Sequence, residues 1–302
     1  MNPYEPCSLC PRECHADKQD GPSGYCRTTS GLCVAKVFPH KGEEPVISGD
    51  NGICNIFFPH CNLRCVYCQN HQISDNRISE APFVIRPETL IGEIEALLDS
   101  GVTHVGFVSP SHAIERMMVV IEGLKERGRR PIFVYNSNGY DKVETLRSLE
   151  GVIDIYLPDL KYMDSALSRD LSDAPDYPEV AKRALKEMYR QKGAMLHLDE
   201  NGLAISGLII RHLILPNHVE NSIACLRFIA EKLSTSVHLS LMGQYYPPDG
   251  LTHPLLNRVI TEDEYQKVKE AFENMGFYRG FFQELQSAYC YRPDFSKFRS
   301  FE

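Results

Sequence analysis

Six short apolar runs, each followed sooner or later by a stretch of helical period, constrain this 302-residue chain more than any other feature. The runs are ICNIFF (53–58), THVGFV (103–108), PIFVYN (131–136), VIDIYL (152–157), SGLIIRHLIL (206–215) and VHLSLM (237–242). RPETLIGEIEALLDS (86–100), HAIERMMVVIEGLKER (112–127) and ITEDEYQKVKEAFENMG (260–276) repeat their apolar positions at three and four residues, the period of a helix. A strand that leads through a helix into another strand makes a parallel pair, because parallel neighbours need a crossover. The chain is therefore α/β, either an open doubly wound sheet or a partial barrel, and both place ligands beyond the C-terminal strand ends.

Those ends are polar. After the runs come, in order, three cysteines, Ser109-Pro110-Ser111-His112, Asn136-Ser137-Asn138-Gly139, Pro158-Asp159-Leu160-Lys161, Pro216-Asn217-His218 and Gly243-Gln244-Tyr245. One such set is ordinary turn chemistry; six on one rim make a site. LHLDENGLAIS (196–206) adds Asn201-Gly202 between apolar flanks, the signal of a two-residue hairpin turn.

The net charge of −8, with no Lys/Arg cluster longer than KERGRR (125–130), predicts no nucleic-acid partner. The longest apolar runs fall far short of the roughly 20 residues of a membrane span. MNPYEPCSLC carries neither a basic nor an apolar signal region, so a cytoplasmic location is expected.

The chain has 11 cysteines, and in a reducing compartment the clustered ones read as metal ligands rather than disulfides. Cys61, Cys65 and Cys68 are spaced C-x3-C-x2-C directly after the first run. A [4Fe–4S] cubane held by three thiolates keeps one iron open; a zinc ion completed by a distant His or Asp is the other reading of the spacing. Cys7, Cys10, Cys14 and Cys26 lie among Pro and Gly in a segment with too few apolar residues to fold without a metal. An auxiliary [4Fe–4S] cluster and a structural zinc both suit them; His15 reads as a surface residue, with substitution for one cysteine as the alternative. Cys33, Cys54, Cys225 and Cys290 are expected to be buried small hydrophobes. Glu43-Glu44 reads as a solvated turn, with packing over the site as the alternative. The expected division is a Cys-rich metal-binding segment, 1–50, and a barrel, 51–302.

The cysteine spacing, the aromatic Tyr67 before the last cysteine and the preceding strand together resemble the signature loop of radical S-adenosylmethionine (SAM) enzymes. The rest of the chain, over roughly residues 50–290, resembles the pyruvate formate-lyase (glycyl radical enzyme) activating enzymes, nearest to their uncharacterised homologue subgroup. VYNSNGY (134–140) is similar to the activases' Asp-Thr-Asn-Gly strand end, and DIYLPDLKY (154–162) to their Asp-x-Lys end; CQN and MGQYYP (242–247) are typical of the subgroup.

The resemblance implies a partial (β/α)6 barrel of the TIM-like, radical SAM type. It implies that SAM chelates the open iron of a [4Fe–4S] cluster and is cleaved reductively to a 5′-deoxyadenosyl radical that abstracts a substrate hydrogen. A flavodoxin or ferredoxin donor is implied, as is a protein substrate, a glycyl radical enzyme. Modification of another protein, a peptide or a small molecule is the first alternative; a zinc-stabilised, non-catalytic binding scaffold is the second. Tyr67, Asn136, Ser137, Asp159, Lys161 and Arg211 are the implied SAM-site residues. Ser109 and Ser111 stand where the superfamily carries a Gly-Gly-Glu-like segment, and Gln244 completes the set. If a monovalent cation sits beside the SAM carboxylate, Asp159 is its one anionic ligand, since Asn136 replaces an aspartate.

Strand alternation places His238, Ser240, Met242 and Gln244 on one face, the lumen of a barrel. Arg211 and His212 oppose one another; the activases' arginine near SAM assigns Arg211 to the lumen.

Overall fold

The computed structural model describes residues 7–19, 21–290 and 292–297. In chain order it contains β1 (Lys36–His40), α1 (Pro45–Ser48), β2 (Ile53–Phe57), α2 (His71–Ser74), α3 (Pro87–Asp99), β3 (His104–Val108), α4 (Ile114–Glu126), β4 (Ile132–Asn136), α5 (Val143–Ser148) and β5 (Ile155–Tyr156). There follow α6 (Ser165–Ser172), α7 (Tyr177–Lys192), β6 (His197–Leu198), β7 (Ala204–Leu213), α8 (Val219–Lys232), β8 (His238–Met242), α9 (Glu262–Asn274), β9 (Gly280–Phe282) and α10 (Ser287–Cys290). All six apolar runs are strands of one sheet, and the three amphipathic stretches are α3, α4 and α9. Local chemistry agrees with these starts: Pro87 opens α3, Asp164 caps α6, and Thr261 and Glu264 close a capping box on α9.

The order across the sheet is β1-β2-β3-β4-β5-β7-β8-β9. From β2 to β9 every pair is parallel. The sheet stays open, ending at β1 and β9, and curves into a partial barrel. β1, within the segment expected to be a Cys-rich extension, runs antiparallel to β2 with His40 opposite Ile53. β6 pairs with β7 as a hairpin. Its turn is wider than two residues: Asp199 N–H donates to Leu203 O at 2.8 Å and Gly202 takes φ 78°. That is a three-residue loop with glycine in the left-handed position.

The two faces of the sheet bury different partners. Val105, Phe107, Phe133, Tyr135, Ile210, Leu239 and Leu241 pack with helix residues such as Ile94, Ile121 and Leu226. On the concave face Ile53, Val134, Ile155, Leu157 and Ile209 close around Ile47 of α1. The turn that follows β1 thus plugs the barrel from its N-terminal end and carries Glu43 and Glu44 into the lumen. Strand parity holds: Arg211 faces the lumen, while His212 is buried outside it between Leu160 O (2.6 Å) and Ser222 Oγ (2.8 Å).

Among the described residues no helix is long and apolar enough to cross a membrane. Two arginines of the basic run are paired, Arg127 and Arg129 with Glu95 and Arg129 with Asp99. Cys33, Cys54 and Cys225 are buried as expected of small hydrophobes, but Cys290 is exposed, because α10 lies at the surface with only Ala288 turned inward.

Candidate active site

The cysteine loop leaves β2 through His60, whose φ of 68° turns the chain sharply. Cys61 N–H donates to Asn76 Oδ1 at 2.9 Å, and Val66 N–H donates to Leu171 O of α6 at 2.9 Å. Each thiol meets a polar neighbour. Asn138 Nδ2 lies 3.5 Å and Leu63 N 3.4 Å from Cys61 Sγ. Ser172 Oγ lies 3.0 Å from Cys65 Sγ, and Ser74 Oγ 3.2 Å from Cys68 Sγ. Such donors stabilise thiolate and tune any metal the sulfurs carry.

The placement of Asn138 depends on Gly139. Its φ is 81°, and a Cβ there would run into Asp159 O and lie 2.6 Å from the Tyr177 hydroxyl. Burial pushes the Cys61 thiol up to about 12, and the neighbouring charges of Cys65 and Cys68 add to the shift. Burial also lifts Cys65, to about 11, against the pull of the Lys161 charge. Cys61 and Cys65 are therefore held as thiols near pH 7 until a metal displaces their protons.

The residues fit a cubane. Three cysteines of one loop face a common cavity and feel one another's charge, and hydrogen-bonding groups surround them. They are not drawn onto one point: among the described residues no three His, Cys, Asp or Glu side chains are gathered around the position of a single ion. Thiolates on separate iron corners stand farther apart than ligands sharing one zinc at about 2.3 Å.

The cavity, of about 750 Å³, runs from the three cysteines to Glu43 and Glu44. A chain of charges crosses it. Lys161 Nζ is 2.6 Å from Asp159 Oδ2, and Arg211 Nε is 3.0 Å from Asp159 Oδ1. Arg211 continues to Glu43 Oε2 (2.9 Å) and Asn136 Oδ1 (2.6 Å). Glu43 Oε1 accepts from Asn55 at 2.9 Å and from Asn136 at 3.3 Å. Burial would lift the Asp159 carboxyl, but Lys161 and Arg211 outweigh it and hold it below its ordinary value. Lys161, depressed by burial, is raised on balance by Asp159. Asp159 is thus a fixed anion rather than a proton acceptor.

Tyr67, Ser109, Asn136, Asp159, Lys161, Arg211 and Gln244 all line this cavity. Ser111 and Ser137 do not. Ser137 follows Asn136 and so points through the opposite face, where its hydroxyl meets Asp141. Ser111 sits in the tight turn Pro110–His112, buried beside Tyr135 and Asp141. With Ser137 turned away and both Asp159 oxygens taken by cations, these residues do not converge on a monovalent cation. Tyr67 is buried, its hydroxyl 2.6 Å from that of Tyr162, which is 2.6 Å from Ser172 Oγ.

Glu43 adds a second anion to the Arg211 side of the site, and the Glu43-Glu44 turn lies inside the cavity, the alternative reading, rather than in solvent. The α1 plug draws both inward, and no periodicity in a coil segment marks that. Asn138 was detectable, since it repeats the Asn136 parity two residues on.

Cys7, Cys10, Cys14 and Cys26 come together at the outer side of the cysteine loop. Burial lifts Cys10 to about 12, and the other three thiols each raise it further. Gly24, at φ 72°, lets the chain pass Cys14: a Cβ there would lie 2.7 Å from its sulfur. Arg12 fastens this segment to the loop, stacking 3.7 Å over Tyr25 and donating to Asn62 O at 2.9 Å. His15 is exposed.

A parallel strand series, an open curved sheet and a three-cysteine loop at the end of its first parallel strand define a class. Residues 55–198 match the family model described as the radical SAM superfamily. It is 29% identical over 281 residues to the uncharacterised protein MJ0674 of Methanocaldococcus jannaschii, covering 90% of this chain and 75% of that one. Among solved structures it resembles Streptococcus suis SuiB bound to SAM, with TM-score 0.52 and 16% identity over 76% of this chain and 50% of SuiB. SuiB bound to its precursor peptide SuiA matches with TM-score 0.51, again at 16% identity, over 76% of this chain and 48% of SuiB. The chain spans about half the length of SuiB, and at this identity the likeness is one of fold.

Proposed function

We infer that the chain is a radical SAM enzyme in which Cys61, Cys65 and Cys68 hold a [4Fe–4S] cluster. The observation that carries this is that the three thiols of one loop open into the same cavity as the Lys161–Asp159–Arg211 chain. When bound there, cluster and SAM supply one-electron cleavage of SAM and a radical able to abstract hydrogen. The chain's own residues do the rest. Lys161 keeps positive charge beside Cys65 and Arg211 extends it along the cavity, which favours a carboxylate ligand; Asp159 fixes both cations in place. Asn136 positions the Arg211 guanidinium, Gln244 and Ser109 offer polar contacts, and Tyr67 walls the cavity.

The substrate is a protein or peptide, with the backbone glycine of a glycyl radical enzyme as the specific candidate. The VYNSNGY and DIYLPDLKY motifs support that reading, and the fold shared with a protein crystallised with its precursor peptide accords with it. A flavodoxin or ferredoxin supplies the electron, in the cytoplasm. Cys7, Cys10, Cys14 and Cys26 hold a second metal centre, an iron–sulfur cluster in preference to zinc.

Metal analysis of the full chain purified without oxygen tests both centres. About eight irons and eight sulfides per chain are expected; about four irons with one zinc would make the N-terminal centre structural. Zinc without iron would end the radical reading.

A further inference from the structure

The cavity has two ends. At one, Cys65 lies within electrostatic reach of Lys161 and Asp159. At the other, Glu44 neighbours Arg211, Glu43 and the Ser240 hydroxyl. Arg211 stands between them, bonded to both Asp159 and Glu43.

Glu44 is 7% exposed, and its Oε2 is buried with no hydrogen-bond partner among the described residues. The Ser48 hydroxyl, one helical turn further on, is likewise buried and without a partner. The Ser48 N–H bonds to Glu44 O at 3.0 Å, which stacks the two residues on one face of the α1 plug. Both line the cavity, as does Ser240 of β8.

An orphaned carboxylate oxygen in a buried site is costly, and folded proteins leave few such groups without a purpose. Burial pushes the Glu44 carboxyl up, against the pull of the Arg211 charge. Arg211 is already spanned across Asp159, Glu43 and Asn136. Among the buried groups of the cavity three carboxyls, Glu43, Glu44 and Asp159, face two cations, Lys161 and Arg211; a third cation of the lining, Lys41, is exposed. His40, also in the lining, is lowered by burial and adds no charge near pH 7. Of the three carboxyls, Glu44 forms no ion pair among the described residues, and it lies at the end away from the thiols.

We propose that this floor seats a primary ammonium group of the substrate, with Glu44 Oε2, Ser48 Oγ and Ser240 Oγ accepting its three N–H bonds. Three acceptors match the three donors of an ammonium, and a carboxylate contact of this kind is charge-assisted. The proposal rests on the reading that SAM occupies the thiol end. It adds that the molecule losing hydrogen carries an amine directed at the plug.

The test uses the full chain purified without oxygen, with n-butylamine and 1-butanol as probes, followed by saturation-transfer NMR at pH 7.5. The amine is expected to bind saturably and about tenfold or more tightly than the alcohol. Glu44→Gln should abolish that difference, and Glu44→Asp should retain part of it. Equal binding of amine and alcohol, no binding of either, or undiminished amine preference in Glu44→Gln would each overturn the proposal. Circular dichroism checks the variants; if Glu44→Gln does not fold, the wild-type comparison of the two probes decides alone. SAM binding to the wild type, followed in parallel by equilibrium dialysis, separates the two ideas. Loss of SAM binding removes the functional reading and leaves the amine result standing.

Discussion

Arg211 Nε lies 3.0 Å from Asp159 Oδ1, a pair formed where the end of β5 bridges to β7. Both side chains are largely buried, at 13% and 14% exposure. With Lys161 on its other oxygen, Asp159 carries two cations. Removing it strands both, and a buried ion pair broken on one side costs about 3–5 kcal/mol. Asp159→Asn is therefore expected to lower unfolding free energy by about that amount in urea titrations. The same variant should weaken SAM binding by equilibrium dialysis. A variant as stable as wild type would show that Asp159 does not organise the site.

Ile47 is the apolar tip of the plug, fully buried among Ile53, Val134, Ile155 and Ile209. Ile47→Ala removes the packing that keeps Glu43 and Glu44 in the lumen. Its expected cost is about 2–5 kcal/mol, read from the urea midpoint. The double variant Ile47→Ala, Glu43→Gln should be non-additive, because both act on the same turn.

Ser172 joins Cys65 to Tyr162 through one hydroxyl. Ser172→Ala withdraws a donor from the sulfur, and less donation leaves the thiolate richer in charge. The cluster potential should then move to more negative values in an EPR redox titration, with iron content unchanged. An unshifted potential would mean that the hydroxyl serves Tyr162 alone.

Stability should fall in acid through buried neutral histidines. Burial holds His112 down at about 3 and His212 at about 4. Unfolded, each takes up a proton near its ordinary value of about 6.5, so between those limits the unfolded chain binds more protons. Stability therefore rises with pH across that window and is lost as pH falls from about 6.5, by up to about 1.4 kcal/mol per unit for each histidine. His112→Gln, which can still donate to Pro59 O, should flatten the slope in urea titrations at successive pH values.

Most of the fold was legible because the six runs have strand length and the intervening stretches a helical period. Parity opposed Arg211 to His212 and the resemblance chose between them; the same rule, not applied to Asn136 and Ser137, turns Ser137 out of the site where the expectation had kept it. What the sequence hid was tertiary. The β1 strand looks like loop, carrying Pro39 in five residues. The Glu43-Glu44 turn has the composition of a solvated surface and is buried by the plug that follows it. The hairpin at Asn201-Gly202 is real, but Asp199 captures the Asn201 and Leu203 N–H groups and widens it.

The central claim is that the cysteine loop and the charged chain across the cavity serve one reaction. Anaerobic incubation of the reconstituted full chain with SAM and dithionite, with 5′-deoxyadenosine measured by chromatography, tests it most directly. The account predicts 5′-deoxyadenosine from wild type and none above background from Cys65→Ala. Equal product from both, or none from a wild type carrying its full complement of iron and sulfide, would contradict it.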